Sequence, residues 1–136
     1  MSGCIFCKII KGEIPSYKIY EDEYTYAFLD IADDYMGHTL VVPKCHCVNT
    51  LDASQETLHH VIDTVQMLSK HYVQNCGVDG VDILNANNSE AEQTVMHLHY
   101  HILPRFAGDN MKLYPSYTNN QRNLAEIQQK LQKDIK

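Results

Sequence analysis

Residues 96–105, MHLHYHILPR, set His97, His99 and His101 at every second position, with Met96, Leu98, Tyr100 and Ile102 interleaved. A repeat of two is the repeat of a β-strand, whose successive side chains point to opposite faces. The stretch TVMHLHYHILP therefore predicts one strand with a histidine face and an apolar face. Met96, Leu98, Tyr100 and Ile102 are expected on a core, which leaves the histidines lining a surface or a cleft. Three of the chain's eight histidines fall within five residues, so a merely polar strand face explains the pattern poorly.

Such a strand needs neighbours, and the rest of the chain supplies them. YKIYED and YTYAFLDI read as strands, joined by the acidic turn at 21–23; HTLVVP and VDILNA read as two more. FCKIIKGEIP reads as a short helix stopped at Gly12 and Pro15. Asp52 or Ser54 caps a helix reaching about Asn75, with Leu58, Val61, Ile62, Val65, Leu68 and Tyr72 at helical spacing and Gly77 just past its end. A last helix, about 119–135, carries Leu124, Ile127, Leu131 and Ile135 along one side. The expected fold class is α+β: a five-stranded antiparallel sheet with helices on one face. With 136 residues and no repeat or linker, one domain over 1–136 is expected.

Composition removes several function classes. A net charge of −6 argues against bulk nucleic-acid binding, which favours a basic face. No apolar run approaches a membrane span, and the start MSGCIFCKIIKGE lacks the pattern of a secretory signal. Five cysteines in such a chain suggest reduced thiols or metal ligands over a disulfide framework. A cytoplasmic location is expected, or a nuclear one in a eukaryote.

A row of histidines suits two chemistries. Three from one strand would strain to reach a single catalytic zinc, because side chains two apart are separated by roughly 7 Å. Phosphoryl transfer fits better. A neutral imidazole attacks phosphorus without first losing a proton, and its neighbours hold the phosphate oxygens as charge builds.

HLHYHILPR resembles the signature of the histidine-triad (HIT) family. CIFCKIIKGEIPSYKIYEDE, AFLDI, GHTLVVPKCH and EQTVMHLHYHILPRFAGD follow that family's order from about residue 4 to 109, and the 119–135 helix lies beyond this match. The N-terminal cysteine pair is similar to the phosphoramidase-like branch, while LPRFAGD is also similar to the branch that hydrolyses dinucleoside polyphosphates. The resemblance implies an enzyme: a hydrolase of purine nucleoside 5′-phosphoramidates, AMP-lysine-like compounds above all. His99 would be the nucleophile, forming a nucleotidyl-histidine intermediate, with His101 on the phosphate and His38 in support. Thr94 would donate to the leaving amine. Asp30 would bind the ribose hydroxyls, and Phe6, Ile9, Phe28, Leu29 and Ile31 would wall the base, with Gln93, Thr94, His99 and His101 completing the nucleotide site. Several of the apolar residues read equally well as plain core. Dinucleoside polyphosphate (Ap3A/Ap4A-type) hydrolysis, or a nucleotide-binding scaffold with weak turnover, is the alternative. The partners implied are a purine nucleotide of the AMP or GMP type and a second copy in a homodimer.

Cys4 and Cys7 form half of a structural zinc site. Spacing alone allows Cys45 and Cys47 as the other half; the resemblance implies His46 and His97 instead. Reduced thiols without metal are a third reading. Three departures from the family pattern stand out. Glu92 replaces a usual glycine before Gln93, at about a kcal/mol or more if the backbone there is left-handed. Ala86 stands where asparagine is common, flanked by Asn85 and Asn87. A C-terminal helix takes the place of the tryptophan-containing tail of animal phosphoramidases.

Overall fold

The computed structural model describes residues 3–114 and 120–135. Five strands form one antiparallel sheet: β1 (Lys18–Glu21), β2 (Thr25–Leu29), β3 (Thr39–Pro43), β4 (Gly80–Leu84) and β5 (Tyr100–Arg105), in the order β1-β2-β3-β5-β4. The acidic turn between β1 and β2 is closed by Asp22, whose Oδ1 accepts the backbone N–H groups of Tyr24 and Thr25 at 2.8 Å each.

Helix α2 (Gln55–Asn75) begins where Ser54 accepts the N–H of Thr57 and ends before Gly77, whose φ is +72°. Its Val61, Val65, Leu68 and Tyr72 pack with Ala27, Val41, Leu98 and Ile102. Ile62, expected in that stripe, is exposed. The short helix α1 (Ile5–Ile10) is capped by the Cys4 thiol and followed by Gly12 at φ +79°. It lies on the opposite face of the sheet, where Phe6 and Ile9 meet Tyr26, Phe28, Leu40 and Val42. The α+β five-stranded class holds, but the helices are not confined to one face. Strand alternation is the reason: β2 and β3 are apolar on both sides and need cover on both.

Two expectations shift. The β5 ladder begins only at Tyr100, so His97 and His99 precede it and are held by other bonds. Met96 is 44% exposed and joins no core. Helix α3 (Leu124–Gln132) is shorter than the expected 119–135: it starts only after Asn123, whose side chain accepts the N–H of Glu126, and residues 120–123 are not helical. Its Leu124 and Leu131, like Ile135 beyond it, are over 70% exposed, and of the expected stripe only Ile127 is half-buried.

Candidate active site and metal centre

The alternation survives ahead of the ladder. Leu98, Tyr100 and Ile102 point to the α2 side, whereas the Phe6 ring on the α1 side meets His97 and His99 edge-on at 5.9 and 5.2 Å. Two bonds replace the missing rungs: Leu98 N–H donates to Cys47 O at 2.8 Å, and Asn85 Nδ2 donates to His99 O at 3.0 Å.

Hydrogen bonds to carbonyls fix two tautomers, because a carbonyl can only accept. His99 Nδ1 lies 2.7 Å from His97 O, so Nδ1 carries the hydrogen and Nε2 keeps its lone pair. Burial holds the His99 imidazole below the usual histidine value, in the neutral form. His97, fully buried, donates Nε2–H to Pro43 O at 2.9 Å and leaves Nδ1 as the free base.

That Nδ1 faces three more donors. It lies 3.3 Å from Cys4 Sγ, 3.5 Å from Cys7 Sγ and 3.2 Å from His46 Nδ1, and Cys7 Sγ is 3.4 Å from His46 Nδ1. A tetrahedral zinc with ordinary bond lengths would space such donors by roughly 3.3–3.8 Å. The four ligand atoms all lie within 4.8 Å of one another, and the set is compatible with zinc. Cys45 and Cys47 do not take part: Cys45 is exposed beside Thr57, and Cys47 packs against the α2-side core.

On the other side of His99, the His101 ring sits 4.9 Å away. His38 Nε2 lies 2.8 Å from His101 Nδ1, and His38 Nδ1 lies 2.7 Å from Asp34 Oδ1. Asp30 places Oδ2 at 3.8 Å from His38 Nδ1 and accepts Ala32 N–H through Oδ1. Thr94 is exposed at the edge of a cleft of about 410 Å³ lined by Ile5, His46, Val48, Val95 and Met96.

Of the expected base wall, Phe6, Ile9 and Phe28 are buried together on the histidine side. Leu29 is not with them: next to Phe28 in a strand it faces the other way, beside Ile19, Met36 and Tyr72. Ile31 is 83% exposed and packs on none of them. The Gln93 side chain is spent on the fold, donating to Val48 O and Val95 O and accepting from Asn49 and Asn88, so it offers a ligand little. Glu92 has φ +70°, the left-handed backbone that its replacement of glycine made costly.

Sequence reasoning missed the role of Asn85. Its Oδ1 accepts from Thr50 Oγ1 and Asn87 Nδ2 at 2.8 and 2.7 Å while its Nδ2 holds His99 O. The asparagines flanking Ala86 were the signal. Asn85→Leu is expected to lower stability by about 1–3 kcal/mol, by stranding these partners, as read by urea unfolding.

The residues 11–108 match the HIT domain model, and the chain belongs to the HIT family. It is 40% identical over 104 residues, 76% of this chain and 63% of the other, to the adenosine 5′-monophosphoramidase HNT1 of Saccharomyces cerevisiae. The crystal structure of SMU.412c from Streptococcus mutans superposes with a TM-score of 0.88 at 38% identity, covering 100% of this chain and 87% of that one. A zinc-bound histidine triad family protein from Mycobacterium smegmatis gives 0.78 at 35% identity, covering 85% and 84%. Among the described residues no helix is long and apolar enough to cross a membrane.

Proposed function

We propose that this chain hydrolyses purine nucleoside 5′-phosphoramidates, with AMP-lysine-like compounds as the leading substrates. The observation that carries the reading is the tautomer of His99: a buried neutral imidazole whose Nδ1–H is committed to His97 O and whose Nε2 lone pair is free. Nε2 attacks the α-phosphorus, the P–N bond breaks, and water hydrolyses the nucleotidyl-histidine. His101 and His38 support the phosphate side. Thr94 lends its hydroxyl to the leaving group, and Asp30 with Phe6, Ile9 and Phe28 grips ribose and base. The relative named adenosine 5′-monophosphoramidase supports this substrate class. Turnover of a nucleoside phosphoramidate series beside diadenosine tri- and tetraphosphate tests it. Faster cleavage of the polyphosphates, or no turnover at all, would reject it.

Zinc on Cys4, Cys7, His46 and His97 is part of the same reading; when bound it is a structural tie. A homodimer is a further part. The outer strand β4 leaves Ile83 and Leu84 at 44% and 38% exposure, on an edge with unpaired backbone groups. Sedimentation at micromolar concentration is expected to show a dimer, and a monomer would remove this element.

A further inference from the structure

An amine leaves phosphorus only if its nitrogen gains a proton, and the Thr94 hydroxyl is too weak an acid to surrender one. The groups behind His101 are arranged to supply it. A carboxylate only accepts, so His38 Nδ1 carries a hydrogen toward Asp34 Oδ1 at 2.7 Å. One proton is then shared between His38 Nε2 and His101 Nδ1, 2.8 Å apart. Placed on His101, that proton leaves Nε2 as a lone pair pointing at phosphate oxygens. Placed on His38, with one further proton drawn from solvent onto His101 Nε2, it makes an imidazolium held by Asp34 beside a neutral His101 that presents Nε2–H.

We propose that Asp34 keeps this proton on His38 and is thereby the outer end of a relay, Asp34–His38–His101, that protonates the departing amine. The proposal rests on the phosphoramidase reading above and adds a positioning residue to it. His38 is 7% exposed and the Asp34 side chain 48%, so the relay runs from solvent into a buried site. Asp30 Oδ2, 3.8 Å from His38 Nδ1, adds negative charge on the same side. The titration tendencies agree. Burial would raise the Asp34 carboxyl, but the hydrogen bond and charge of His38 hold it below the usual value. Burial, then His99 and His38, pushes His101 down to about 4.

The step balances. As the His99 Nε2 lone pair bonds to phosphorus, the P–N bond breaks and its electron pair stays on the amine nitrogen. That nitrogen takes the His101 Nε2 proton, His101 Nδ1 takes the proton of His38 Nε2, and His38 is left neutral with Nδ1–H still on Asp34. His101 Nε2 is now a base. Water attacks phosphorus and gives it a proton, the bond to His99 breaks, and the Nδ1 proton returns to His38.

The test uses leaving groups that do and do not need a proton. In the full chain, Asp34→Asn keeps an acceptor oxygen for His38 but removes the negative charge, and Asp34→Ala removes both. With an alkylamine phosphoramidate of AMP, both variants are expected to lower kcat by roughly 30-fold or more. With the p-nitrophenyl ester of AMP, whose leaving group departs as a stable anion, the loss is expected to be about threefold or less. Equal losses on both substrates would mean that Asp34 merely shapes the loop, and no loss on the amine would mean it does nothing; either overturns the relay while leaving the phosphoramidase reading standing. A wild-type chain that turns over neither substrate would sink that reading, and the relay with it.

Discussion

His99→Ala is expected to lower turnover by roughly 10,000-fold or more while AMP binds within about fivefold of the wild-type affinity. The two effects separate because the groups do. On the proposed reading, only Nε2 of His99 forms the covalent bond, whereas Asp30, Phe6 and Phe28 act on ribose and base, away from the phosphorus. Quenching the wild type during turnover at alkaline pH is expected to trap a nucleotidyl adduct on His99 by mass spectrometry. An adduct on another histidine, or a His99→Ala enzyme of near-normal rate, would end the assignment. The pH profile adds a second reading of the same residue. Burial disfavours the charged form, so His99 stays neutral at pH values where an exposed histidine would already be protonated. The acid limb of kcat is therefore expected below pH 6.5, the usual histidine value; a limb at or above it would mean that His99 is not buried neutral in the working enzyme.

The local layers of this architecture were open to sequence reading, and the tertiary ones less so. Ser54 and Gly77 bounded α2 because caps are short-range devices, and Thr25–Leu29 and Thr39–Pro43 announced themselves by composition. The side of the sheet taken by α1 was not legible: six residues carry too little pattern to choose a face. Leu29 could have been excluded at once, since neighbours in a strand face opposite ways and Phe28 was already assigned to the site. The asparagines around Ala86 hinted at Asn85, but the pairing of Gln93 and Asn85 with Val48, Asn49 and Thr50 was beyond reach, because those partners come from a loop more than thirty positions away. Asp34 is four residues from His38, close enough to find, yet it sits among three acidic residues of one loop that sequence alone does not rank. Helix α3 shows the converse limit, a clear helical pattern whose Leu124 and Leu131 are nonetheless exposed.

Cys4→Ser is expected to remove zinc, about one ion per chain in tag-free wild-type protein, and to lower the melting temperature by roughly 10 °C. The size follows from linkage: zinc at several hundred times its Kd stabilises the folded chain by about 3–4 kcal/mol, which for a domain of this size moves Tm by a few degrees per kcal/mol. Chelation is expected to reproduce the shift in the wild type and to do nothing further to Cys4→Ser, because both remove the same tie. Cys45→Ser should keep its metal, as Cys45 is exposed beside Thr57 and away from the four donors. Loss of zinc from Cys45→Ser with full zinc in His46→Ala would reverse the ligand assignment. The consequence extends to the chemistry through one residue. His97 offers Nδ1 to the donor cluster, yet its carbonyl oxygen is the acceptor, at 2.7 Å, that fixes the tautomer of His99. Phe6, one residue before Cys7 from α1 and edge-on to His99 at 5.2 Å, is tied to the same centre. Metal-free protein is therefore expected to turn over more slowly, because the lone pair of His99 Nε2 is no longer held in one direction. A metal-free enzyme with unchanged kcat would show that the tie serves the fold alone.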